Sequence, residues 1–157
     1  MRKIINPYEP ERNKCFGCSS SNPIGLHLTF YEDGEDVVTE WDPEFYMQGY
    51  LNVLHGGIQA TLHDEIASWT VYTKLETAGV TRKIEINYLK AVYVNKGKIT
   101  LRSKVLTQEE RLATMYTRLL DCNGNLCSEG KVTYYIYPQK IAVARYNYPG
   151  IEAFFET

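Results

Sequence analysis

The period of the apolar positions changes along the chain. GLHLTFYE at 25–32 and EDVVTEW at 35–41 alternate apolar and polar residues around a turn at Gly34, which predicts a hairpin. The stretch 42–54 is broken by Pro43 and Gly49 and reads as a loop. From Gly57 the spacing becomes helical. Ile58, Leu62, Ile66 and Trp69 recur on one face, and Ala60, Ala67 and Val71 fill others. This predicts one helix to about Leu75, apolar on several faces and therefore wrapped by other structure. Four strand-like segments follow at 82–93, 98–108, 112–121 and 126–137, with Asn123-Gly124 a tight-turn signal before the last. Two strands, one helix and four strands imply an α+β fold, an antiparallel sheet curled around one long central helix. The tail from Pro138 is aromatic and shows no readable period.

The start of the predicted helix, LHGGIQATLHDE at 54–65, departs from what packing alone requires. Gly56 and Gly57 weaken a helix but let another molecule approach the backbone. The first N–H groups of a helix have no intrahelical partner and attract negative charge. At a reacting carbonyl, such an amide stabilises the oxyanion, and losing one donor costs about 3 kcal/mol of barrier. Asp64 is a candidate base or nucleophile, and His55 a candidate for orienting substrate or loop. Asp64 lies eight residues beyond Gly56, which is about 12 Å along a helix axis. One carbonyl therefore cannot readily meet both groups of one helix. If both act, two copies of the helix must contribute, which implies a symmetric dimer with composite sites. The bland alternative is a tight turn followed by a solvated acidic edge.

HGGIQATLHDE, the flanking strands and the later INYLKAV resemble hotdog-fold acyl-CoA thioesterases, in the phenylacetyl-CoA thioesterase-like (PaaI-like) branch. CFGCSSSNPIGLHLTF and FYMQGYLNVLHGG are similar to segments common in that branch, and the resemblance covers residues 14–137. It implies a hotdog fold and metal-free hydrolysis of an acyl-CoA thioester by a homodimer or homotetramer, with no cofactor. By motif position it implies Gly56 as the oxyanion amide with Gly57 beside it, and Asp64 as nucleophile or general base across the dimer. His55 would help hold the thioester carbonyl. Gln48 and Thr81 would lie near substrate and attacking water, and Glu65 ranks behind Asp64 as the acid, with a structural hydrogen bond as its other reading. The sequence departs from the pattern at His63, where an aliphatic residue is common, and at Ala91, where proline is frequent.

The 157 residues suit a single domain, with the tail 138–157 of unassigned role. The net charge of -2 argues against a nucleic-acid binder. No apolar run is long enough for a membrane span and no signal peptide is visible, so a cytoplasmic location is expected. Cys15, Cys18, Cys122 and Cys127 admit a tetrahedral zinc site. The reading adopted is four free thiols and no metal, because the second spacing looks like a hairpin turn. Two other activities compete with hydrolysis: acyl-CoA binding without turnover, and enoyl-CoA hydration. The second fits poorly, since His63 and Asp64 are helix neighbours and do not face each other.

Overall fold

The computed structural model describes residues 1–157. Its long helix, α1 (Gly56–Lys74), buries Leu62, His63, Ile66, Ala67, Trp69, Thr70, Val71 and Thr73. No stripe of that helix is free for solvent along its middle, so the sheet must curl around it. Seven antiparallel strands do so: β1 (Arg2–Ile4), β2 (Phe30–Asp33), β3 (Asp36–Trp41), β4 (Gly79–Tyr88), β5 (Ile99–Glu109), β6 (Leu112–Leu120) and β7 (Leu126–Ile136). Their order across the sheet is β1-β2-β3-β5-β6-β7-β4. The fold is the α+β arrangement that the pattern predicts, a sheet wrapped around one long helix, and it is the hotdog fold that the resemblance implies. No helix is long and apolar enough to cross a membrane.

The strands β5, β6 and β7 form a meander that alternates over most of its length. Ile99, Leu101, Ala113, Met115, Leu119 and Val132 are buried, with charged neighbours pointing outward. The chain leaves β3, runs through α1 and returns as β4 at the far edge of the sheet. There β4 pairs only with β7, and its other edge has no partner within the chain. Val80, Ile84 and Tyr88 on this strand are 42%, 38% and 51% exposed, an unusual amount of apolar surface for an edge.

Three expectations are corrected. The first long strand starts at Phe30, not at 25. Leu26 and Leu28 are buried, but their N–H groups donate to the carbonyls of Phe16 and Gly17, and His27 has φ 54°. This stretch pairs with the Cys15–Cys18 loop instead of a strand. The strand after the helix begins at Gly79 and ends at Tyr88. Beyond it the Leu89 and Lys90 N–H groups both donate to the Cys127 carbonyl, and Val92 turns to accept from Leu54. The tail forms a second helix, α2 (Gln139–Tyr146), and a 3-10 turn (Ile151–Phe154). With only Ala142 buried on α2, no apolar period was there to be read. The tail seats Tyr148 and Phe154 against Tyr72, and Phe154 also against Trp69, on the central helix.

Candidate active site

The loop before α1 fixes where the helix begins. His55 N–H donates to Met47 O at 3.0 Å, and Gln48 Oε1 accepts from the Asn52 N–H at 2.6 Å. The loop closes through a Gln48–Leu54 bridge. His55 then caps the helix: its Nδ1 accepts from the Gly57 N–H at 2.9 Å. The Gly57 amide is therefore spent on the cap. Gly56 N–H has no acceptor within the chain and lies on an exposed residue. A Cβ on Gly57 would sit 3.0 Å from the His55 ring, whereas one on Gly56 would make ordinary contact with Tyr88 at 3.7 Å. The two glycines are thus not equivalent. Gly57 makes room for the cap, and Gly56 leaves a backbone donor uncovered.

Two turns on, Asp64 is half-buried beneath β4 and β7. Thr81 Oγ1 and Tyr134 Oη each donate to Asp64 Oδ1 at 2.8 Å, and Tyr134 also reaches the Asp64 carbonyl at 3.0 Å. Both hydroxyls converge on one carboxylate oxygen. Asp64 Oδ2 has no partner within the chain. Burial, with the Asp64 carboxylate beside it, pushes the Tyr134 phenol above its ordinary range, so it keeps its proton and can donate. A second contact ties β4 to the helix, as Tyr88 Oη donates to Gly56 O at 2.7 Å. The exposed edge strand therefore touches α1 at both ends of interest, Thr81 at Asp64 and Tyr88 at Gly56.

A sequence comparison matches the thioesterase superfamily model over residues 51–128, which spans the loop, helix, β4 and β5–β6. Two proteins of Saccharolobus solfataricus named as esterases are similar. One is 31% identical over 114 residues, covering 70% of this chain and 77% of the relative. The other is 31% identical over 86 residues, 54% of this chain, and the match spans just over half (56%) of that relative's length. The chain belongs to the thioesterase superfamily. Among solved structures, a hypothetical thioesterase protein of Streptococcus pneumoniae crystallised with coenzyme A has the same fold. It superposes with a TM-score of 0.65 at 24% identity, over 71% of this chain and 90% of that one.

Within this superfamily member the expected site residues separate into groups. Asp64 and Thr81 meet. Gly56, Gly57 and His55 form the helix start, at the other end of the β4 contact. Gln48 is engaged in its own loop through Asn52. Glu65 faces another way: its Oε1 accepts from Trp69 Nε1 at 3.2 Å and from Cys15 Sγ at 3.4 Å. Burial, then the adjacent Cys15, pushes Glu65 up to about 7. His63 is fully buried between Thr117 Oγ1 at 2.7 Å and Ser128 Oγ at 2.8 Å, and burial lowers it to about 4. It is a neutral core histidine, hydrogen-bonded on both ring nitrogens. Gly130 gives it space, since a Cβ there would lie 2.7 Å from Thr117 Oγ1 and 3.3 Å from His63 Nδ1.

Sequence reasoning missed two polar residues. Tyr134 carried a faint signal: Val132, Tyr134 and Ile136 alternate on the inward face of β7, so its hydroxyl had to find a partner inside. Gln59, on the first turn of α1, is 4% exposed and its Oε1 has no partner within the chain. A cavity of about 400 Å³, lined by Tyr8, Cys18, Leu28, Phe30 and Trp69, includes neither Asp64 nor Gly56.

Proposed function

We propose that the chain hydrolyses an acyl-CoA thioester, as a homodimer whose active sites are shared between subunits. The observation that carries this reading is the Asp64 carboxylate, fixed through Oδ1 by Thr81 and Tyr134 with Oδ2 unpartnered, beside an unpaired edge strand. Gly56 N–H supplies the matching donor, but eight residues back, about 12 Å along the axis. Pairing of β4 with a second copy would run the two central helices side by side and bring one subunit's Gly56 toward the other's Asp64. The exposed Val80, Ile84 and Tyr88 would be covered by that contact. Coenzyme A in the Streptococcus pneumoniae neighbour favours an acyl-CoA among thioesters.

In this reading the thioester oxygen accepts from Gly56 N–H, and the amide stabilises it as the carbonyl becomes tetrahedral. Asp64 Oδ2 takes a proton from water as the hydroxide adds to the carbonyl carbon. The tetrahedral intermediate collapses, the C–S bond breaks, and the thiolate leaves with the proton Asp64 holds. Direct attack by Asp64, through an acyl anhydride that water then opens, uses the same geometry. His55 acts one step removed, by holding the helix start.

The test is thiol release from a panel of aromatic, short-chain and medium-chain acyl-CoAs. Wild type should turn over at least one class, and Asp64→Asn should lower kcat at least about a hundredfold with the melting curve unchanged. Binding without turnover across the panel would overturn the hydrolase reading and leave an acyl-CoA binding protein.

A further inference from the structure

Outside the proposed active site, three potential metal ligands converge where the N-terminal loop crosses the central helix. Cys15 Sγ, Cys18 Sγ and a Glu65 carboxylate oxygen all lie within 4.8 Å of one another. A four-coordinate zinc ion with ordinary Zn–S and Zn–O bonds separates a sulfur and an oxygen ligand by about 3.6 Å, and two sulfurs by about 3.8 Å. The observed Cys15 Sγ to Glu65 Oε1 distance is 3.4 Å. That pair already stands at the separation of two tetrahedral ligands, and Cys18 Sγ, within 4.8 Å of both, could reach a third corner with a shift of at most about 1 Å.

The loop is built to hold this arrangement. Cys15 N–H donates to Asn13 Oδ1 at 2.9 Å, Cys15 O accepts from Ser19 N–H at 3.1 Å, and Cys18 O accepts from Asn6 Nδ2 at 3.2 Å. Gly17, between the two cysteines, lies directly on the carboxylate: a Cβ there would sit 2.4 Å from Glu65 Cδ. Only glycine lets the turn close this far. On the helix side, Trp69 Nε1 orients the carboxylate as outer partners of metal ligands do. No lysine, arginine or histidine pairs with Glu65. A divalent ion would supply the countercharge that the carboxylate and the thiolates need once they give up their protons.

We propose that Cys15, Cys18 and Glu65 form a zinc site that clips the N-terminal loop to α1. Binding releases the thiol protons to solvent and leaves the fourth position to a solvent oxygen. The site is separate from the thioester chemistry, because Glu65 is turned about 100° around the helix from Asp64. It also differs from the four-cysteine grouping weighed on sequence. Cys122, in the turn between β6 and β7, and Cys127, at the start of β7, stand outside it.

The experiment uses the full chain, stripped with a chelator under reducing conditions, reloaded with zinc chloride and desalted. Elemental analysis should find one zinc per chain, and a melting scan should show a zinc-dependent rise in Tm. Cys15→Ser and Cys18→Ser, made singly, should each lose both, Glu65→Gln should bind at least tenfold more weakly, and Cys122→Ser should match wild type. Zinc should also protect Cys15 and Cys18, but not Cys122, from alkylation in peptide mass mapping. This readout needs no variant to fold. No retained zinc in wild type, equal zinc in the cysteine variants, or a Cys15–Cys18 disulfide persisting in reductant would each overturn the proposal. None of these readouts depends on the acyl-CoA reaction.

Discussion

At the scale of residues, the polar groups divide by whether the chain satisfies them. Asp64 spends one oxygen on Thr81 and Tyr134 and keeps the other free, which the proposed reaction would use as its base. Tyr134→Phe removes one of the two donors without creating a cavity. It should lower kcat by between about tenfold and a hundredfold, the cost of a loosened reacting group, with KM little changed; an unaltered kcat would make Tyr134 merely structural. His63 is the opposite case, with both nitrogens bonded inside the core. Its folded value of about 4 lies below the ordinary 6.5, so between those values the unfolded chain takes up the proton that the native chain refuses. Stability from the neutral imidazole is present above about pH 6.5 and is lost as pH falls toward 4. Against His63→Asn, wild type should lose about 3 kcal/mol of relative stability between pH 7 and pH 4, read from denaturant melts. A difference that stays flat with pH would contradict the buried neutral assignment.

At the scale of elements, the helix start and the edge strand decide whether there is a site at all. The two glycines were legible in sequence as an anomaly, but their division of labour was not. It depends on the His55 ring folding back onto Gly57 N–H, a rotamer choice no spacing encodes. The helix itself was legible to within a residue at either end, because apolar residues on several faces of a period-3.6 pattern permit little else. The position of β4 was not legible, since every strand candidate carries the same alternation and only the sheet order shows which one of them lies at the edge. Ile84→Asp places a charge on that unpaired, apolar edge. If β4 forms the dimer contact, sedimentation should shift to a monomer, and thioester hydrolysis should drop at least about a hundredfold, as expected when the oxyanion donor is lost. A monomer with full activity would show that one chain suffices.

At the scale of the whole molecule, both termini are packed onto the central helix. Ile5 N–H donates to Phe154 O at 2.8 Å, joining the first strand to the last turn. Phe154 is fully buried and contacts the rings of Tyr8, Trp69, Tyr72 and Tyr148. Phe154→Ala should destabilise the chain by about 3–5 kcal/mol in denaturant unfolding, the usual cost of removing a buried aromatic ring. A loss under about 1 kcal/mol would mean that the tail is a loose appendage. The tail escaped reading because aromatic residues that pack singly onto a distant helix leave no local period.

What the sequence by itself determined follows from short-range periodicity and a local motif. It determined one helix wrapped by antiparallel strands, glycines at the helix start, and an acid two turns in. What only the tertiary structure decided is everything that joins residues far apart in the chain. It paired Tyr134 and Thr81 with Asp64, closed both nitrogens of His63, left one edge of β4 unpaired, and carried Cys15 and Cys18 to Glu65 rather than to Cys122 and Cys127. The physical reason is that a side chain's partner is set by the register of the sheet and the path of loops across the helix, and neither leaves a mark on its neighbours in sequence.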